Sequence, residues 1–295
     1  MDRAIRALIG EGEFTAFVAV TKELVEESRL IHGTFPTATA ALGRTLTLVG
    51  LMGLNLKGRE KVSIQILSEG PIREIYAQGD PEGNVRGFIR WPDVDLPPTS
   101  DGKLNVEGAL GGRGMLYVLR DFGYGQPYMG MIPLKTGGIA TDLAYYFTIS
   151  EGIPSAVAAG VLVGKDGEVL GAGGFIVQPL PGTTENRVQV LEENIKRMPQ
   201  ISRQVAEGAT PEDILHMISR DLGAVVLVHK QLQYRCSCSR ERAERALLSL
   251  GEAELIDMID RDGGAEVKCE FCGRKYLFSS ADLELILTRI KTKEN

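Results

Sequence analysis

The first 180 residues carry mainly the hydrophobic pattern of β-strands. EFTAFVAVT alternates with a period of two, KVSIQILSEGPIREIYAQ and NVRGFIRW fit strands joined by the turn GDPEGN, and AAGVLVGKDGEVLGAGGFIVQPL fits two strands around an Asp-Gly turn. Helical spacing occurs in TKELVEESRLIHG and IATDLAYYFTIS. Because the strands come in neighbouring groups and do not alternate strictly with helices, the pattern predicts an α+β fold and not a doubly wound parallel sheet.

One long apolar run, ATAALGRTLTLVGLMGLNL, is interrupted by Arg44, three threonines and Asn55, and Lys57 follows it closely. A membrane-spanning helix needs about 20 predominantly apolar residues without a central charge. Since apolar residues occupy most faces of this run, we expect a buried helix at the centre of a domain. No membrane partner is expected.

The pattern changes near residue 180, where the prolines and the glycine of QPLPG end the last strand. The residues that follow are charged, poor in glycine and helical in spacing. We therefore predict a mixed sheet-and-helix core domain over residues 1–180, an amphipathic helical linker over residues 181–228, and a small C-terminal domain over residues 229–295.

The predicted linker contains two amphipathic helices. In the first, TTENRVQVLEENIKRMPQI, the apolar residues recur at three- and four-residue steps and share one face. They are Val188, Leu191, Ile195 and Met198. Thr184 is placed to cap the first helix, and Thr210, followed by Pro211, to cap the second. An apolar face of this kind must be covered by another surface.

Composition and charge narrow the functional classes. The chain has 295 residues, of which 43% are hydrophobic and 24% charged, and its net charge of −6 gives no electrostatic reason for a nucleic-acid partner. The N-terminal MDRAIRALIGEGEF does not resemble a signal peptide, so we expect a cytoplasmic protein. The glycine-rich GALGGRG lacks the Lys-Ser/Thr of a P-loop and is more typical of a turn between two strands, so no nucleotide site is expected.

All four cysteines lie near the C-terminus, in RCSCSR and KCEFCGR. Paired cysteines on two loops can close a tetrahedral zinc site, with one ion held by Cys236, Cys238, Cys269 and Cys272. The spacing departs from that of common zinc ribbons, because the first pair encloses one residue and about 30 residues separate the pairs. The intervening ERAERALLSLGEAELIDMIDRDGG can fold as two helices and a turn that bring the loops together. The alternative is four buried, free cysteines.

The chemistry around these thiols is suited to a reversible redox switch. A structural zinc site contributes roughly 10–16 kcal/mol in small peptides, whereas the whole stability of a typical domain is about 5–15 kcal/mol, so oxidation of the ligands should unfold so small a domain. Five nearby basic residues either favour the thiolate form or merely keep the domain soluble. They are Arg235, Arg240, Lys268, Arg274 and Lys275. A disulfide across C-x-C would be strained and therefore easily reduced.

The two cysteine pairs, together with HGTFPTATAALGRTLT, GVLVGKDGEVLGAGGFIVQPLPG and CEFCGRKYLFS, resemble the thirty-three-kilodalton heat-shock protein family of redox-regulated holdase chaperones from the bacterial cytosol. The resemblance covers essentially the whole chain. It implies an inactive, reduced state in which the four cysteines bind zinc. It also implies that oxidants pair Cys236 with Cys238 and Cys269 with Cys272, release zinc and loosen the linker.

The function that follows is a chaperone for oxidative stress. Loss of zinc would unfold the C-terminal domain and remove the support of the linker, and the freed apolar surface would hold unfolding client proteins without ATP. The face formed by Val188, Leu191, Ile195 and Met198 is the candidate client-binding surface. The resemblance further implies that the active form is a homodimer.

The sequence leaves two other functional classes open. A thiol-disulfide oxidoreductase could use Cys269 and Cys272, although the strand–helix setting of thioredoxin is missing there. A zinc-ribbon module could bind RNA or protein, although the aromatics near the thiols fit a small core better than a base-stacking surface. They are Tyr234, Phe271, Tyr276 and Phe278. The chain has neither H-E-x-x-H nor G-x-S-x-G, so no enzyme is predicted. His229 could in principle ligate metal, but four thiolates already complete a tetrahedron.

Overall fold

The computed structural model describes residues 2–291, and the chain divides into two compact units between Arg235 and Cys236. The first unit contains eleven strands in its described part. They are β1 (Arg3–Ile9), β2 (Phe14–Val20), β3 (Lys61–Ser68), β4 (Glu74–Gly79), β5 (Asn84–Ile89), β6 (Gly114–Asp121), β7 (Tyr128–Pro133), β8 (Ala156–Val163), β9 (Val169–Pro179), β10 (Ala224–Gln231) and β11 (Gln233–Tyr234).

Seven helices accompany these strands in the described part of the first unit. They are α1 (Lys22–His32), α2 (Pro36–Gly53), α3 (Val106–Leu110), α4 (Ile139–Ser150), α5 (Glu185–Arg197), α6 (Ile201–Ala206) and α7 (Pro211–Ile218). The second unit is made of α8 (Arg240–Leu248), α9 (Glu252–Asp257), a π-helical turn (Met258–Asp262), β12 (Gly264–Lys268), β13 (Lys275–Ser279) and α10 (Ser280–Lys291).

The strands of the first unit form two sheets. The first sheet has the order β10-β1-β2-β9-β8 and is antiparallel throughout. The second has the order β11-β5-β4-β3-β6-β7, in which only the short pair of β11 with β5 is parallel. Helices and neighbouring antiparallel strands in one unit confirm the predicted α+β class.

Helix α2 is the core helix that the long apolar run predicted. Nearly all of its residues are buried, and it packs against strands of both sheets. Its threonines satisfy their hydroxyls locally, because Thr45 Oγ1 donates to the Ala41 carbonyl oxygen and Thr47 Oγ1 to that of Gly43. Within residues 2–291, no helix has both the length and the apolar character needed to cross a membrane.

The opposite face of the first sheet is covered by α5, α6 and α7. Side chains alternate along β1, so that Ala4 belongs to the core around α2 while Ile5, Ala7 and Ile9 point to the outer side. We call the hydrophobic cluster on this outer side, formed by β1, β2, β9 and the three helices, the outer cluster. Leu191 of α5 is buried in it. The apolar face of the linker helices is therefore covered by the first sheet.

Helix α6 approaches β9 so closely that only glycine fits beneath it. A Cβ atom on Gly171 would overlap the carbonyl oxygen of Ser202 and lie 2.7 Å from the backbone nitrogen of Ala206. Since both of these atoms belong to the helix backbone, no rotamer change could relieve the overlap. Gly171 thus sets how near α6 can lie to the sheet.

Several predicted details differ from the structure. Strand β10 begins inside the segment predicted as a helical linker and pairs with β1 in the first sheet. Thr210 forms the predicted cap, in a reciprocal capping box with Asp213, but Thr184 makes no side-chain cap bond. The glycine-rich segment predicted as a strand-to-strand turn is the end of α3 followed by a connection to β6. The three-part division at residues 180 and 228 stays a prediction.

Candidate metal centre

The first cysteine pair lies on an extended segment before α8. Cys236 and Cys238 follow β11 in the chain, and Ser239 then caps α8 by accepting a hydrogen bond from the Arg242 backbone N–H. The Nη1 of Arg242 also donates to the Ser237 hydroxyl at 2.9 Å, which restrains the segment between the two thiols. The helix start thereby fixes the backbone that carries the C-x-C pair.

The second pair lies in the turn of the β12–β13 hairpin. The Cys269 N–H donates to the Arg274 carbonyl oxygen at 2.9 Å, and the Gly273 N–H donates to the Cys269 carbonyl oxygen at 2.8 Å. Gly273 has a φ of 67°, a left-handed conformation that glycine adopts without steric cost. This tight turn directs both thiols of C-x-x-C to the same side. The setting is a hairpin and not the strand–helix junction of a thioredoxin-like active site.

The two loops bring all four Sγ atoms together within 4.8 Å of one another. Cys236 Sγ lies 3.6 Å from Cys269 Sγ, and Cys238 Sγ lies 3.4 Å from Cys272 Sγ. A tetrahedron with Zn–S bonds of ~2.3 Å has S···S separations of about 3.8 Å. All four cysteines are free and partly buried. The donor set and its spacing therefore fit one metal ion held by four thiolates.

The environment gives the thiols unequal acidity. Burial raises the pKa of Cys236 and raises that of Cys272 to about 12. At Cys238 burial acts in the same direction, but hydrogen bonds from Tyr276 and the neighbouring thiols outweigh it and lower the pKa to about 7. The Tyr276 hydroxyl donates to Cys238 Sγ at 3.1 Å. Cys238 is consequently more readily deprotonated than Cys236 or Cys272 in the metal-free site.

Of the five basic residues predicted around the thiols, Arg274 interacts electrostatically with them. Hydrogen bonding to Tyr276, and the charges of Tyr276, Cys238 and Cys272, raise the pKa of Arg274. Arg240 instead lies over the Phe278 ring, 4.3 Å from its centroid, and pairs with an acidic residue of α10. Lys275 Nζ pairs with a β12 carboxylate at 2.9 Å. Both of these cations make their contacts with other residues of the second unit.

The second unit has a small hydrophobic core beside the thiols. Its buried members are Ala243, Leu247, Leu255, Phe278, Leu283 and Ile286. Tyr276 packs against this core, as predicted, whereas Tyr234 does not belong to it. Tyr234 is buried in the first unit, where its hydroxyl donates to the Gly87 carbonyl oxygen at 2.7 Å and lies 3.1 Å from His32 Nε2. Its position next to the cysteines in sequence misled the prediction.

The sequence did not reveal the role of Tyr276. In the hairpin register Tyr276 lies opposite Val267, which places its hydroxyl near the first cysteine pair. The available signal was the short spacing between the C-x-x-C turn and an aromatic residue with a polar tip. His229, the other ligand considered, lies in β10, and its Nδ1 is 3.4 Å from Glu212 Oε1. In residues 2–291 the metal-binding group consists of the four cysteines alone.

The candidate client-binding residues lie together on the outer cluster. Leu191 is buried, and Val188, Ile195 and Met198 are partly buried against the same cluster. Met198 lies just beyond the end of α5, where the chain turns towards α6. In this structure the four side chains are packed on the first sheet, so this surface is largely covered.

Comparison with known proteins gives a consistent result. A family model described as "Hsp33 protein" matches residues 2–279. The chain is 42% identical over 293 residues to the 33 kDa chaperonin of Desulforamulus reducens, covering 99% of both chains. It is 44% identical over 287 residues to the 33 kDa chaperonin of Clostridioides difficile, covering 97% of this chain and 98% of that one. These relatives are named as chaperonins and not as enzymes.

A solved structure shows the same architecture. The crystal structure of the 33 kDa chaperonin (heat shock protein 33 homolog) from Thermotoga maritima superposes with a TM-score of 0.90 at 39% sequence identity. The match covers 99% of both chains, and so includes the cysteine-bearing unit as well as the two-sheet unit.

Proposed function

Because this chain belongs to the Hsp33 protein family, we propose that it is a redox-regulated holdase chaperone that binds unfolding client proteins without ATP. The observation that carries the proposal is the cluster of four free thiols within 4.8 Å, in a protein whose cysteines are confined to that one site. In the reduced state the cluster binds one zinc ion, and the protein is inactive. We place this activity in the cytoplasm, where thiols are kept reduced until stress occurs.

Oxidation removes the zinc ligands in pairs. Each disulfide forms when two thiolates lose two electrons to a peroxide, which is reduced to water as it takes up protons. We propose the pairs Cys236–Cys238 and Cys269–Cys272, which the family resemblance supports. A tetrahedral cluster offers each thiol three neighbours, so its geometry permits other pairings as well. Disulfide sulfur is a poor zinc ligand, since the thiolate is the species that binds metal.

Zinc loss then unfolds the second unit. Its hydrophobic core has few fully buried side chains, and a domain of this size buries a smaller share of its surface than a larger domain does. A structural zinc site contributes roughly 10–16 kcal/mol in small peptides, which is comparable with the whole stability of a typical domain. The unit is therefore expected to lose its fold when the metal leaves.

Unfolding of the second unit loosens the linker helices. The first cysteine follows β10 and β11 directly in the chain, and β10 in turn follows α7. We propose that loss of order propagates along this path and detaches α5 to α7 from the first sheet. The face formed by Val188, Leu191, Ile195 and Met198, with the surface of the first sheet that α5 to α7 leave, then binds clients. The resemblance also supports a homodimeric active form. It supports no role for nucleotide, nucleic acid or membrane.

The first experiment follows zinc and holding activity together. Reduced, zinc-loaded protein is exposed to peroxide at elevated temperature, and zinc release is recorded with a chromogenic chelator alongside light scattering of a denaturing client without ATP. We expect scattering to fall as zinc is released and to return when reductant and zinc are added. Zinc release without any holding activity would contradict the proposal. The site would then be a structural zinc site that only stabilises the second unit.

Trypsin digestion under non-reducing conditions tests the pairing. Cleavage after Arg235 and Arg240 yields CSCSR, and cleavage after Lys268 and Arg274 yields CEFCGR. Disulfides within each pair leave two separate peptides, each lighter by two hydrogens than its reduced form. Disulfides between the pairs join the two peptides into one species, which would overturn the proposed pairing without affecting the zinc-release result.

A further inference from the structure

A cavity of about 460 Å³ lies beside β8, the edge strand of the first sheet. One wall is formed by the chain from the end of α5 into α6, and another by α2 and residues 101–104. Small-molecule sites in proteins commonly have volumes of roughly 300–1,000 Å³. The cavity is thus large enough for a small ligand, and none of the four cysteines lines it.

Arg44 of α2 lines this cavity from the core side. Its Nε atom is buried and, within residues 2–291, has no hydrogen-bond partner. Burial lowers the pKa of the guanidinium, and Glu107 opposes this only through its charge at longer range. A buried N–H group without an acceptor is costly, because it has lost its hydration without replacement. An anion in the cavity would supply the missing acceptor.

The charges around the cavity favour an anion. Besides Arg44, its lining includes Lys103, Arg203 and one acidic residue, Asp101. Lys103 Nζ pairs with Asp101 Oδ2 at 2.5 Å, so that these two charges compensate each other. Arg44 and Arg203 remain as the excess positive charge. Any ligand that enters therefore meets a net positive field.

Much of the remaining wall is apolar. Phe175 of β9 forms part of it, and Ile195 and Met198 contribute from the linker side. The site consequently offers a charged point on α2 and an apolar surface shared by core and linker. This combination matches a molecule with an anionic head and an apolar tail.

We propose that this cavity binds an amphiphilic anion, with one carboxylate or phosphate group at Arg44 and a short apolar chain against Phe175, Ile195 and Met198. The planar guanidinium can donate two parallel hydrogen bonds to either head group. Since the linker forms one wall, the bound molecule contacts core and linker at once. It therefore stabilises the arrangement in which the linker helices are packed on the first sheet.

Calorimetric titration of the reduced, zinc-loaded protein tests the site directly. Octanoate and octyl phosphate are the probes, and acetate and 1-octanol are the controls that lack the tail or the charge. We expect one molecule of octanoate or octyl phosphate per chain, and the tighter of the two identifies the preferred head group. Acetate and 1-octanol should each bind at least tenfold more weakly than the tighter of the two probes.

Two arginine variants make the test specific. R44M removes the cation but keeps the length of the side chain, and it should weaken binding at least tenfold, or about 1.4 kcal/mol. R6M is the matched control, because Arg6 of β1 also has a buried Nε that finds no partner in the described part of the chain, but it does not line the cavity. R6M should bind like the wild type. Equal affinity of R44M and wild type, or failure of both anions to bind, would overturn the proposal.

Folding and linker contact are checked on the same samples. R44M should melt at or above the temperature of the wild type, since a buried N–H donor without an acceptor has been removed. Saturating octanoate should slow hydrogen exchange over residues 195–203, and unchanged exchange there would overturn the contact with the linker. None of these measurements involves oxidant or client, so their failure would leave the proposed chaperone function intact.

Discussion

Replacement of Ile214 by alanine tests whether the packing of the linker keeps the reduced protein inactive. Ile214 lies on α7, is fully buried in the outer cluster, and is not among the proposed client-binding residues. Truncation of a buried Leu, Ile or Met to alanine typically costs about 2–5 kcal/mol. The packing of Ile214 is lost whenever α7 leaves the first sheet. The truncation therefore destabilises the closed, packed state and not the open one, and it shifts the opening equilibrium by its whole free energy. Destabilisation of the closed state by about 3 kcal/mol raises the open population by roughly two orders of magnitude.

The assay uses reduced, zinc-loaded I214A without oxidant. We expect suppression of client aggregation together with faster hydrogen exchange in α5 to α7, while a chelator assay shows that zinc is retained. The matched control is H216A, which truncates an exposed side chain of the same helix and should behave like the wild type. If I214A exposes its linker to exchange and still holds no client, release of the linker is not what activates the chaperone.

Three further predictions concern single positions. G171A places a Cβ against the backbone of α6 and should likewise give holding activity without oxidant, measured by client light scattering. G273A forces a residue with a side chain into a φ of 67° and should weaken zinc binding by about 1–2 kcal/mol in a competition titration. Burial raises the pKa of Asp2 to about 6, so the folded state binds its proton more tightly than the unfolded state, and this contribution to stability is lost as pH rises. Relative to D2N, the free energy of unfolding of the wild type should fall by up to about 3 kcal/mol between pH 4 and pH 7, and parallel curves would contradict this.

The helix that Asp2 stabilises illustrates what local sequence does not reveal. Thr21 occupies the N-cap position of α1 but makes no side-chain cap bond. The Asp2 carboxylate instead accepts hydrogen bonds from the backbone N–H groups of Glu23 and Leu24, at 3.1 and 2.6 Å. A cap supplied from some twenty residues away depends on how β1 lies beside the helix. No spacing rule at the helix itself could predict it.

The sequence by itself determined the class of fold, the central buried helix and the four-thiol site. Periodicity predicts strands and helices because burial of one face imposes a repeat on the chain, and thiol pairs on two loops restrict the chemistry to few possibilities. Only the tertiary structure decided which surface covers the linker helices, because the apolar stripe containing Leu191 could have packed on any apolar face. The structure also decided that Tyr276 reaches Cys238 and that Arg44 meets a cavity. These contacts join residues far apart in sequence, and their geometry depends on sheet register and helix packing, which local sequence does not encode.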